Sequence, residues 1–79
     1  MSPTLMRIGQ YRFFFNSREE PRIHVHIQST DGVAKFWLEP IVALATSYNI
    51  QSRDLLKIEK MVKEHRDEFR EAWCQHFTV

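Results

Sequence analysis

One cysteine, two glycines and three prolines in 79 residues leave little material for several architectures. The lone Cys74 cannot close an intrachain disulfide and fits no zinc spacing. A disulfide-stapled secreted domain is thereby excluded, and a reducing compartment is expected. Two glycines build no glycine-rich phosphate loop, and neither a nucleophile elbow nor a His-Glu-x-x-His pair occurs. No apolar run approaches the roughly 18 residues of a membrane helix, and no signal-type apolar stretch opens the chain, so a soluble cytoplasmic protein without membrane contact is expected. An excess of one charge is missing too. Eleven Lys and Arg against ten Asp and Glu give +1, which argues against a generic clamp on nucleic acid but leaves a local basic patch open. A chain this short buries only about 60% of its unfolded surface. It makes one domain, residues 1–79, with no room for a Rossmann unit plus substrate domain or an enclosed cofactor site, and no cofactor is implied.

What is present is apolar enough to fold: 43% hydrophobic residues, ten of them aromatic. Periodicity changes along the chain. Thr4–Ile8 and Tyr11–Asn16 flank Gly9-Gln10, the pattern of a two-residue type II′ hairpin. That register sets Ile8 opposite Tyr11, Met6 opposite Phe13 and Thr4 opposite Phe15 on an apolar face. Arg7 then opposes Arg12, and Leu5 opposes Phe14, on the other. After the charged loop Ser17–Glu20 and Pro21, a second hairpin joins Ile23–Gln28 to Val33–Leu38. It closes either on Asp31-Gly32 or on all four residues Ser29–Gly32, and both options keep the same faces. One face holds Ile23, Val25, Ile27, Ala34, Phe36 and Leu38; the other holds His24, His26, Gln28, Lys35, Trp37 and Glu39.

Glu39-Pro40 stops the fourth strand. Residues 41–48 read equally as strand, turn or helical turn. Ser52 has the chemistry of an N-cap, and Leu55, Ile58, Val62, Phe69, Trp73 and Phe77 recur at helical spacing. The expected fold is α+β: two consecutive antiparallel hairpins, about four strands, packed on one long C-terminal helix over residues 52–77.

The chemistry gathers on the polar strand face. His24 and His26 alternate, so both imidazoles point one way. Together they can bind a divalent ion or serve as general acid and base. As a zinc site the pair lacks ligands, Glu39 being the nearest third, and no metal is assigned. Lys35, Trp37, Glu39 and the Arg7/Arg12 pair complete a set suited to RNA chemistry. Against this stands the plain reading of two surface histidines with no task. Leu5 and Phe14 beside arginines also resemble a protein contact surface. The Phe69, Trp73, Phe77 stripe reads as core.

These residues are similar to one bacterial family. The Pro-Thr-Leu start, Tyr11-Arg12-Phe13-Phe14-Phe15, His24-Val25-His26, the run Ala34-Lys35-Phe36-Trp37-Leu38-Glu39-Pro40 and Glu71-Ala72-Trp73 resemble the family catalogued as domain of unknown function 4160. The chain departs from its pattern at Ile23, where proline is usual, and at His65, where asparagine is. The resemblance implies a suspected type II toxin–antitoxin module, in which this chain is the toxin-like component and a small antitoxin-like protein its partner. On that reading the target is RNA, and the question of enzyme activity stays open. If the chain is an enzyme, it is a metal-independent ribonuclease. His24 and His26 would act as acid and base, Lys35 would stabilise phosphate charge and Glu39 would orient a histidine. Trp37 would stack a base, while Arg7 or Arg12 held a phosphate. The alternative is a non-enzymatic interaction module docking a partner, or a second copy as a homodimer, through Leu5, Phe14 and Trp37.

Overall fold

The computed structural model describes residues 4–15 and 22–76. The charged loop Ser17–Glu20, Pro21, Asn16 as a strand end and Phe77 in the helical stripe lie outside the described residues. Alternating apolar positions rich in aromatic and β-branched side chains draw the first half into strands. β1 (Thr4–Ile8), β2 (Tyr11–Phe14), β3 (His24–Gln28), β4 (Val33–Trp37) and β5 (Ala43–Tyr48) form one antiparallel sheet in sequence order. α1 (Ser52–Glu64) and α2 (Arg66–His76) follow. The class is α+β as expected, but with five strands and two helices in place of four and one.

Both differences have local causes. β5 contains Ala-Leu-Ala-Thr-Ser-Tyr, with weak alternation, and owes its strand to pairing with β4 more than to its own propensity. Its end lies against Gly32, where an added Cβ would overlap the Tyr48 carbonyl oxygen and stand 2.5 Å from that of Asn49. Asn49 then turns the chain in the left-handed region (φ 57°), with its Nδ2 donating to the Asp31 carbonyl at 2.7 Å. The helix breaks at His65, with neither proline nor glycine to announce it. His65 closes α1 by donating its N–H to Met61 and opens α2 by accepting the Phe69 N–H at 3.0 Å. Its Nδ1 lies 2.9 Å from Glu68 Oε1, three residues on, the spacing of a capping box. At the other end of α1 the cap position is Gln51, whose carbonyl accepts from Asp54 and Leu55; Ser52 is the first helical residue.

The hairpin registers follow the expected parity except at one point. Ile8 pairs with Tyr11, Arg7 with Arg12 and Met6 with Phe13, and Gly9 carries the positive φ of 57° that the tight turn needs. A bulge then sets Thr4 opposite Phe14, so Leu5 turns toward the core and leaves the face it was expected to share with Phe14. The second hairpin closes over all four loop residues: Gln28 pairs with Val33, and the Ser29 N–H donates to Gly32 at 2.8 Å. The buried sheet face (Phe13, Val25, Ile27, Ala34, Phe36) meets Ile58 and Val62 of α1 and Phe69 and Trp73 of α2. Phe13 stacks on Phe69 at 5.5 Å. No described helix is long and apolar enough to cross a membrane.

Candidate nucleic-acid interface

The helices cover one side of the sheet, and the other carries the predicted site. Strand pairing places Arg12 beside Gln28, Phe14 beside His26, His26 beside Lys35, and His24 beside Trp37. Their side chains form a continuous row. The Arg12 guanidinium sits 4.5 Å above the Phe14 ring, and Phe14 stacks on His26 at 5.4 Å. His26 meets His24 edge-on at 5.2 Å, and His24 meets Trp37 at 5.6 Å. Trp37 in turn has two cations against its ring, Arg22 at 4.2 Å and Lys35 at 4.6 Å. Each such contact is worth about 0.5–1 kcal/mol at a surface, enough to hold a flexible cation in place.

Arg12 is anchored further. Its Nε donates to Thr4 Oγ1 at 2.7 Å and its Nη1 to Gln28 Oε1 at 3.3 Å. The first bond exists because the β1 bulge brings Thr4 level with Phe14. Arg7, its cross-strand partner, is exposed. Arg22 donates to the Glu39 carbonyl at 3.0 Å and so holds its place at the Trp37 end. Sequence reasoning gave Arg22 no role, although it shares alternation parity with His24 and His26.

Two predicted residues stand differently from their expected roles. His24 does not project into solvent: it is 0% exposed, closed in by Trp37 and His26 and, from α2, by Trp73 at 5.0 Å. The β2–β3 ladder ends at Phe14 and His26, so at His24 the neighbour is the helix and not another strand. The Nδ1 of His24 lies 2.6 Å from the Arg22 carbonyl. A carbonyl has no proton to give, so Nδ1 is the donor. Glu39 is the second case. Its carboxylate engages Arg70 Nε and, at 3.3 Å, Arg66 Nη2, both from α2, and it touches neither histidine. Arg66 also donates to the carbonyls of Leu38 and Pro40. Glu39 therefore ties the end of β4 to α2. Among the described residues no three of His, Cys, Asp and Glu come together as metal ligands would.

Arg12, Phe14, His26, Lys35 and Trp37 thus form one half-buried row, with Arg7 at its open end. Trp73, read from the sequence only as core, is also the lid over His24.

A five-stranded meander backed by two helices, with a row of cations and rings on its open face, defines a small α+β domain. Residues 10–74, well over half of the chain, match the family model described as Domain of unknown function (DUF4160), and the chain belongs to that family. No curated protein and no solved structure matches it.

Proposed function

We propose that the open sheet face binds RNA, as the toxin-like component of a type II toxin–antitoxin pair would. One observation carries this reading: charge is segregated. The five strands contain Arg7, Arg12 and Lys35 and no Asp or Glu. The two helices hold six cations and six carboxylates, a net of zero. A polyanion meeting the sheet face meets the positive side of a nearly neutral chain.

The arrangement favours the RNA backbone over its bases. Phe14 is already flanked by Arg12 and His26, and Trp37 by Arg22 and Lys35, so the rings serve as shelves for cations. A base stacking on Trp37 has to displace one of them. Capture, and not cleavage by two imidazoles, is the activity supported, since a paired acid–base step needs both rings at the scissile bond and His24 is sealed. In this reading His26 and Lys35 touch the strand, and His24 props His26 from behind.

The test is fluorescence anisotropy with labelled single-stranded RNA over a salt series. Binding is expected to weaken steeply with salt. Lys35→Ala is expected to lower the log–log slope by about 0.7 and to act alike on different sequences. Absence of binding at low salt by folded protein refutes the proposal. Expression of the chain in a bacterial host, with growth and RNA integrity followed, tests the toxin context: normal growth removes it.

A partner protein is the second reading, favoured by a different surface from the one expected. Leu5 is turned inward and Phe14 and Trp37 are flanked by cations, whereas Val33 and Tyr48 form an exposed cross-strand pair at the β4–β5 edge. Loss of antitoxin binding in Tyr48→Ala, with RNA binding intact, would establish it.

A further inference from the structure

At the end of the sheet away from Trp37, the tips of the first two hairpins enclose a shallow cavity of about 370 Å³, lined by Thr4, Arg7, Gln10, Arg12, Gln28 and the Ser29-Thr30 turn. Its hydrogen-bonding balance is lopsided. Thr4 Oγ1 and Gln28 Oε1 both accept from Arg12. Gln10 Oε1 accepts from Thr30 Oγ1 at 3.0 Å, which also ties the two hairpin tips together. Ser29 Oγ accepts from the Gly32 N–H at 3.1 Å and donates to the Gly32 carbonyl at 3.2 Å. Most lining acceptors are therefore used within the protein. Its lining side chains also bring donors: the Arg7 guanidinium and the amide NH2 of Gln10 and of Gln28. No carboxylate lines it among the described residues. Arg7 and Arg12 also stand directly opposite across the ladder, so two guanidinium groups border the cavity.

We infer that this cavity is a phosphate site, built to take an acceptor-rich anion by charge-assisted hydrogen bonds. The inference deepens the RNA reading and rests on it for the identity of the ligand: the phosphate belongs to the strand whose other part lies at His26 and Lys35. Arg12 is two strands and two residues away from Lys35, about 12 Å at ordinary strand spacing and rise. A stacked strand places one phosphate every 3.4 Å or so, and needs about three to four nucleotides to reach from one to the other. The cradle accordingly sets a minimum length for full affinity. The Thr4 bulge, the Thr30–Gln10 bond and the facing arginines all border it.

Anisotropy with labelled RNA of two and of five nucleotides tests this, using the whole chain and an Arg7→Ala variant at an exposed position. Wild type is expected to bind the pentamer roughly tenfold more tightly than the dimer, one charge-assisted contact's worth, and Arg7→Ala to lose that gain. Equal pentamer affinity in wild type and Arg7→Ala overturns the phosphate site while leaving RNA binding in place. If wild type binds neither oligomer, the RNA reading falls, and pyrophosphate titration by NMR decides the site alone. Shifts of the Gln10, Ser29 and Thr30 amides in wild type but not in Arg7→Ala uphold a site for free phosphate; unshifted amides overturn it.

Discussion

Substituting His24 by alanine is the obvious probe of the histidine pair, and the structure predicts that it destabilises the fold heavily before it reports on function. The ring is fully buried between Trp37, Trp73 and His26. Truncating a buried ring costs about 3 kcal/mol, the lower end of the range for core aromatics. The Arg22 carbonyl loses its donor in the same step, which adds about 1 kcal/mol. A chain of 79 residues at 0.05–0.15 kcal/mol per residue has roughly 4–12 kcal/mol in all. The loss of about 4 kcal/mol is therefore a third of the stability or more. With a urea m-value near 1 kcal/mol/M, the midpoint followed by circular dichroism is expected to fall by about 4 M. His24→Phe keeps a ring in the site and forfeits chiefly the hydrogen bond, so it is expected to recover most of the loss. His26→Ala, half-buried, is expected to cost about 1 kcal/mol or less. A His24→Ala midpoint within 1 M of wild type would refute the burial argument. Loss of toxicity in His24→Ala is thus no evidence of acid–base catalysis unless the variant is shown to be folded.

Packing and charge set the outcome of four further substitutions. Gly32→Ala forces a methyl group into the backbone of Tyr48 and Asn49 and is expected to cost about 2–3 kcal/mol in urea unfolding. Gly9→Ala meets open space and suffers only from the positive φ, about 1 kcal/mol, so the reverse order would contradict the placement of β5. Glu39→Gln weakens two partly exposed contacts, to Arg66 and Arg70. It is expected to lower stability by about 1 kcal/mol or less in a salt-dependent way, without weakening RNA binding in the anisotropy assay. Phe69→Ala empties the contact with Phe13 and is expected to cost about 3–5 kcal/mol; a midpoint shift below 1 M would mean that α2 does not pack on the sheet as described.

The two hairpins were legible because alternation and turn chemistry agree there. Gly9 marks the first turn, and the parity of Val25, Ile27, Ala34 and Phe36 is the same for either closure of the second. What escaped was set by contacts distant in sequence. Nothing within Ala43–Tyr48 specifies a strand, and the clue lay in Gly32, whose missing side chain admits the end of that strand. The β1 bulge changes no residue type, yet it turns Leu5 inward and brings Thr4 to Arg12. The break at His65 hides inside an unbroken helical period, since Val62 and Phe69 lie seven residues apart and fit one continuous helix. Alternation does place His24 on the correct face of β3. Its burial could not be read that way, because the cover comes from Trp73, forty-nine residues on, after the helix has broken.

The near-zero net charge was the composition fact that argued against a nucleic-acid binder, and its force depends on where the charges lie. In the helices Lys63 pairs with Glu59 at 3.3 Å, and Arg70 approaches both Asp67 and Glu39. Acidic side chains thus stay among helical cations, as i,i+3 and i,i+4 spacing dictates. The helical layer stands about 10 Å behind the sheet, on the scale of ordinary layer packing. At physiological ionic strength the screening length is about 8 Å, so a phosphate at the open face responds mainly to Arg7, Arg12, Arg22 and Lys35. The six helical carboxylates stand in that rear layer, and Glu39 is answered by Arg66 and Arg70. A balanced composition excludes a uniformly basic protein. It does not exclude one that places its cations on one face of a thin sheet.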